Sequence, residues 1–475
     1  MHVANRLTFG ITPGVQAQLT GLGVGGYIED QLSKVTPDPA AEGRLGQFQL
    51  LGQTRKQTYD RLRQIGDNRL RKELTHQAVL RGTYSEHQLF EMMTQLWMDH
   101  FNINLFGNGA TEHLHIDFQE NVIRPNAMGS FADLLRATAN STAMLTYLDN
   151  DTSNASSPEG VNENYGRELL ELHTLGIDEA GNQVYNEADV RAAALAMSGW
   201  SMETNRNAAN YTDFVFRDSF HHTGEVSILN GAWTSAGTTG KGTGDSLLTF
   251  LSTHPSTARY VAYKICRRFV ADSPPASIVA STAQAFLANN TEIVPTLRHV
   301  FTSAEFAAAE NQKLRRPLEA QVAALRALHS TVPNDPNGRS ADRLRDNLVD
   351  QDHEPWAWEQ PDGFPDEAAH WLSTDGLLQR WSQGVRLARN ILSNGNGGDS
   401  ITTDYGALRP PAATAGELIT ALGRQFGIGD LPAPARAAVA AAARVNENEA
   451  AASVNNDELA DIAGLIVAHP LFQTR

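Results

Sequence analysis

Apolar residues recur at three- and four-residue spacing along most of the chain, which predicts one helix after another. The clearest case runs from Glu86 to Phe101, where Leu89, Met93, Leu96, Trp97 and His100 fall on one stripe. Pro13, directly after Thr12, marks the first turn of an opening helix pair over 13–35. The same spacing predicts helices at 115–123, 129–139, 161–176, 187–199, 245–253, 255–271, 276–288, 293–301 and 312–329. Between Tyr211 and Leu229 the period changes. Phe214 and Phe216 alternate with polar residues, and Val226 and Ile228 do so again after His221-His222-Thr223-Gly224. That predicts a β-hairpin. The expected fold is mainly α: a large multi-helix globular fold with one small β-hairpin insertion near 211–229.

Two stretches break the pattern. Thr331 to Ser340 is rich in Pro, Asn, Asp and Gly, and Asn394 to Ser400 reads as a linker or surface loop. The expected division is a main helical domain over 1–330, a turn-rich linker over 331–350, and a C-terminal helical region over 351–475, either separate or part of the same core. The Ala-rich tract 434–452 is expected to be helix on propensity alone.

Composition narrows the function. The 475 residues carry 38 Lys+Arg against 54 Asp+Glu, a net charge of −16, which argues against a general binder of nucleic acid or anionic membranes. No apolar run approaches the roughly 18–20 residues of a membrane span, and Met1-His2-Val3-Ala4-Asn5-Arg6 holds no apolar signal core. The single cysteine, Cys266, excludes an internal disulfide and a cysteine-based zinc site. In Tyr263-Lys264-Ile265-Cys266-Arg267-Arg268-Phe269 it reads as a small buried apolar residue.

Some apparent motifs dissolve on inspection. Gly21-Leu22-Gly23-Val24-Gly25-Gly26 matches GxGxxG, but helix precedes it where a dinucleotide site needs a strand, so it reads as a helix-to-helix turn. Gly240-Lys241-Gly242-Thr243 lacks both the leading Gly of a phosphate loop (Ser235 stands there) and the Ser/Thr directly after Lys (Gly242). No NAD, nucleotide or haem motif is present, nor a GxSxG elbow or an HExxH pair.

The segment Asn162 to Gly176 carries the most chemistry. At about 100° per residue, Asn164, Arg167, Glu168 and Glu171 share one face, and Tyr165, Leu169, Leu170 and His173 the other. Such a polar face is either solvated, with an Arg167–Glu171 pair at i,i+4, or one wall of a pocket. In a pocket, Arg167 would hold one carboxylate ionised while burial raises the other, giving an acid/base pair. Metal binding is a third option, with histidines joining from elsewhere. Each candidate partner has a plainer role beside the functional one. His100 fits a hydrogen-bonded core position, His113 and His115 a surface helix start, and His221 a loop that projects into a site. Asp149 and Asn150 fit a helix end or a set of hard oxygen ligands. Trp356, Trp358, Trp371 and Trp381 fit either helix packing or a sugar platform.

Several of these stretches together resemble a bacterial family known as "domain of unknown function 1800". The resemblance rests on His2 to Gly10, Trp97-Met98-Asp99-His100-Phe101, Ile123 to Gly129, Ala143 to Asn150 and the Asn162–Gly176 block. Ala193 to Trp200, His254 to Arg259 and Pro361-Asp362-Gly363-Phe364-Pro365 extend it in order over roughly 2–385. It implies a largely helical protein, often exported beside a sulfatase-like companion, and so a periplasmic or secreted location. Within the family pattern His100, Asn164, Arg167, Glu168, Glu171, His173 and His221 fall at motif positions.

The expectation is an exported enzyme acting by acid/base or metal-assisted chemistry on a carbohydrate or other polymer. Glu168, Glu171, Arg167, Asn164 and His221 are the candidate catalytic residues, and Trp356, Trp358, Asp149 and Asn150 the candidate substrate contacts. A divalent transition metal, if bound, would draw on Glu168, Glu171, His100 and His221. Two other readings stand beside it: an oxidative metalloenzyme with His/Glu ligands in a helical bundle, and a non-enzymatic envelope or assembly protein built around a buried ion network.

Overall fold

A computed structural model describes residues 1–66, 68–106, 111–177, 181–392 and 399–475. The predicted helices form, with their ends fixed by local caps. Thr12 accepts a hydrogen bond from the Val15 amide and opens the helix Pro13–Ser33, whose course breaks at Gly23, where φ is +69°. The Gly-rich stretch is thus a kink between two helical arms, not a cofactor loop. Asn186 caps Glu187–Met197 with a full capping box, Ser130 caps Phe131–Ala139, and Pro255 opens Pro255–Phe269.

The Gln88–His100 helix is buried on all sides rather than along one stripe. Its polar residues are therefore answered inside the protein: Arg124 reaches both oxygens of Glu91 at 2.7 and 3.0 Å, and Gln88 Nε2 donates to the carbonyls of Gly82 and Ser85. Further helices that the periodicity did not mark occur at Arg55–Ile65, Asn68–Tyr84, Thr374–Ala388, Ala415–Gln425 and Asn456–Ala468. The Ala-rich tract is helical over Ala433–Ala442 and stops at Arg444, which takes a left-handed φ of +62°.

The β-hairpin expected near 211–229 does not close on itself. Phe214–Phe216 pairs antiparallel with Trp200–Met202, and Ser227–Ile228 pairs with Trp233–Thr234. Each strand found a nearer partner, because Gly199, at φ +81°, turns the chain directly out of the Glu187–Met197 helix into Trp200. A third pair joins Ser330–Thr331 to Thr402–Thr403.

The stretch 331–350 holds a helix, Arg339–Val349, which packs against Asn68–Tyr84. The wholly buried helix Pro317–Ala327 lies between Asn68–Tyr84 and Thr374–Ala388, and Thr374–Ala388 packs on Asn456–Ala468. One apolar core runs from Val3 to Phe472.

Charges occupy part of that core. Glu319 is about 1% exposed and meets Arg268, Arg316 and Arg475, the last two at 3.2 Å. Burial opposes its ionisation, yet Arg268, Arg475 and Arg316 together hold it well below the ordinary carboxylate range. Arg316 also reaches Asp99 at 2.6 Å, and Lys313 reaches Asp272 at 2.5 Å and Asp366 at 3.2 Å. These pairs anchor the segment that carries Pro361 to Asp366. At Gly363, with φ +78°, a Cβ would lie 2.0 Å from the Asp99 carbonyl oxygen, so only glycine lets this loop rest on the Gln88–His100 helix.

Candidate functional site

The polar-face helix begins at Asn164, whose amide donates to Asn162 Oδ1 at 2.9 Å. It is α-helical over Asn164–Glu168 and then widens into a π turn over Leu169–His173. Single π turns within helices recur at functional sites, where they redirect side chains. Thr174 Oγ1 donates to the Leu169 carbonyl at 2.5 Å and the Gly176 amide to that of Leu170 at 3.1 Å, closing the end. Gly166 sets the helix against Glu187–Met197: a Cβ there would stand 2.8 Å from both the Val190 carbonyl oxygen and the Ala194 amide.

The expected Arg167–Glu171 ion pair does not form. Arg167 instead holds Glu187 through two parallel bonds of 2.8 and 2.6 Å on the protein surface. The Glu187–Met197 helix, brought close by Gly166, presents a carboxylate in better geometry than the i+4 position of a widening helix. Asn164 is exposed and lies at the rim.

Glu168 is half-buried, and no hydrogen-bond partner of its carboxyl occurs among the described residues. Burial lifts its pKa to about 7, the Glu171 and Asp362 charges add to the rise, and Arg167 opposes it. Glu171 Oε2 accepts a hydrogen bond from Tyr185 at 3.2 Å, and Asp362 Oδ1 accepts one from Trp358 Nε1 at 2.7 Å. Tyr147, which donates to the Glu359 carbonyl at 3.1 Å, is pushed up to about 12 by burial, with Glu168 and Asp362 contributing. The charges of two further carboxyl groups, one on the same helix and one on a separate segment, thus act on Glu168, with two phenols and an indole beside them. Near neutral pH one of the three is poised between its acid and base forms.

His100 lies inside the core with its ring among Trp97, Phe101, Phe131 and Tyr260, and its Nε2 is 3.2 Å from the His173 carbonyl oxygen. Burial and the Lys264 charge hold both His100 and His173 neutral, His173 at about 3. His221 is buried elsewhere: Nδ1 sits 2.8 Å from the Ser198 carbonyl oxygen and the ring meets Phe216 edge-on at 5.3 Å. Glu168, Glu171, His100 and His221 therefore do not form a ligand set, and among the described residues no group of three or more His, Cys, Asp or Glu is spaced to hold a metal ion. His113 and His115, expected at the surface, are buried and pushed down to about 4 by that burial, because the short helix Glu112–Asp117 packs under Arg55–Ile65.

Asp149 is exposed in a left-handed turn, and Asn150 is buried with Nδ2 donating to the Met197 and Trp200 carbonyls, a clasp rather than a substrate contact. Trp356 is 7% exposed and packed in the core, so it offers no face to a polymer. Trp358 differs. It is half-buried and, with Asp352, lines two neighbouring cavities of about 300 and 350 Å³. Sequence reasoning passed over Asp362, Tyr147 and Tyr185; Asp362 lay in the Pro-Asp-Gly-Phe-Pro motif, which was visible but carried no assigned role.

A family model described as "Protein of unknown function (DUF1800)" matches residues 2–474. The chain belongs to this family. No curated protein and no solved structure matches it. The DUF1800 match covers both the Asn164–His173 segment and the Asp362 loop, so the two halves of the carboxyl cluster lie within one family unit.

Proposed function

We propose that this DUF1800 protein is an exported hydrolase that cleaves glycosidic bonds in a carbohydrate polymer, with Glu168 as its proton donor. The observation that carries the reading is the Glu168 carboxyl, lifted to about 7 by burial beside Glu171 and Asp362. A glycosidase needs one carboxyl protonated and another ionised at the same pH. Protonated Glu168 gives its proton to the leaving oxygen as the C–O bond breaks. Asp362, oriented by Trp358, takes a proton from the water whose oxygen forms the new C–O bond. Glu171, steadied by Tyr185, keeps the Glu168 proton in place until it is needed. The half-buried Trp358 ring supplies a flat apolar surface for a sugar.

The non-enzymatic reading has one observation in its favour, the buried charge network around Glu319. That network is closed by three arginines, whereas Glu168 is neither closed nor neutralised. The test is a panel of polysaccharides assayed for new reducing ends between pH 5 and 9, with wild-type protein and Glu168→Gln. Hydrolysis that declines above about pH 7 and falls by about 10²–10⁴-fold in the variant is the expected result. A glutamine variant as active as wild type, or no hydrolysis over the whole panel, overturns the proposal.

A further inference from the structure

The lining of the cavity of about 300 Å³ beside Trp358 includes Gln351, Asp352, His370, Ser373, Gly376 and Arg380. That volume stands at the low end of the roughly 300–1,000 Å³ of ligand pockets and suits one small ring. Ser373 caps the 15-residue helix Thr374–Ala388 through the Gly376 amide at 3.0 Å, so the positive end of this helix opens on the cavity. Asp375 sits on the same first turn but is exposed and lies off the cavity wall.

Arg380, one turn further along, is 3% exposed. Its Nη1 donates to the Arg315 carbonyl at 2.7 Å, while Nε and Nη2 are buried without a partner. Among the described residues Arg380 makes no ion pair, and Glu319, the carboxylate whose charge acts on it, is already taken by Arg268, Arg316 and Arg475. A buried guanidinium with two idle donors, set behind a helix N-terminus, is an incomplete arrangement that an anion completes. The walls are aromatic: Trp358 meets His370 at 5.5 Å between ring centres, and His370 meets Trp371 at 4.5 Å.

We infer that this cavity binds an acidic sugar, its carboxylate on Arg380 and the Thr374–Ala388 N-terminus and its ring against Trp358. The sugar half rests on the glycoside reading above; the anion half rests on Arg380 alone. Trp358 also holds Asp362 through its indole N–H, so the cavity adjoins the carboxyl cluster and serves as a subsite for a uronate residue of the polymer. Asp352, exposed and with φ +55°, is the one carboxylate that lines the cavity, and it weakens anion binding.

Calorimetric titration of the full chain with D-glucuronate, D-glucose and acetate tests the inference. Glucuronate is expected to bind at least tenfold more tightly than either of the others, and Arg380→Gln to lose at least tenfold. Asp352→Asn, a change that suits the left-handed turn and leaves the buried network intact, is expected to tighten glucuronate binding several-fold. Equal affinities for the three probes, no glucuronate binding by wild type, or an Asp352→Asn variant that binds no better overturns the inference, even where Arg380→Gln fails to fold. Binding needs no turnover. Saturable glucuronate binding in a protein without hydrolytic activity overturns the catalytic reading and leaves this one standing, and hydrolysis without glucuronate binding does the reverse.

Discussion

Replacing Glu168 by Gln removes a carboxyl that the fold holds away from its ordinary titration range, and the consequence for stability has a definite sign. The native pKa is about 7 against an ordinary 4.5, a gap of about 2.5 units. Between those values the native protein keeps a proton that the unfolded chain has released, so the folded state loses ground as pH rises from about 4.5 through about 7. The full gap corresponds to roughly 3.4 kcal/mol at about 1.36 kcal/mol per unit. Glu168 is only half-buried, and screening by solvent brings the effect to about 1–2 kcal/mol. Glu168→Gln carries no such penalty. At pH 8 it is expected to melt about 1–2 °C higher than wild type, and at pH 4 the two are expected to coincide. Thermal unfolding followed by circular dichroism at the two pH values measures this directly, and carbon-13 NMR of glutamate carboxyls locates the titration itself. A variant less stable than wild type at pH 8, or an equal difference at both pH values, would refute the argument that burial beside Glu171 and Asp362 lifts this group.

Two more outcomes follow from the packing. Gly363→Ala is expected to lift the Asp362 loop off the Gln88–His100 helix, because its Cβ would stand 2.0 Å from the Asp99 carbonyl oxygen; the Glu168 titration should then move back towards 4.5 in the same NMR experiment. Glu319→Gln leaves Arg268, Arg316 and Arg475 sharing a buried site without a carboxylate, with an expected loss of about 3–5 kcal/mol in urea unfolding.

Much of the helical fold was legible because its apolar residues keep a regular period. Ala276–Ala288 and Ile293–Phe301 have the predicted bounds, and Glu187–Met197 and Phe131–Ala139 come within two residues of them. The Asn68–Tyr84 helix was not legible, since its buried face carries Glu73, His76, Gln77 and Arg81, polar residues whose partners come from distant segments. The same blindness hid half of the candidate site. A wheel drawn over one helix groups Glu168 with Glu171, but it can show neither the Asp362 loop that folds beside them nor the Glu187 that draws Arg167 away. His113 and His115 were misplaced for a related reason: helix Arg55–Ile65, which covers them, carries so many charged residues that it gave no apolar stripe.

The π turn at Leu169–His173 has a meaning in terms of insertions and deletions. A π turn is an α-helix that has accommodated one residue more than its hydrogen-bond ladder needs. Deleting one residue within it would restore a plain helix and leave both flanks, Asn164–Glu168 and the chain from Thr174 onward, in place, whereas the same deletion in an ordinary helix would rotate all that follows by about 100°. Gly176 would still face the Tyr260 ring, and an imidazole at the end of the turn would still reach the aromatic cluster around His100. This turn is therefore the place where the chain tolerates a change of length, between a half-buried Glu168 on one side and an imidazole locked into the core on the other.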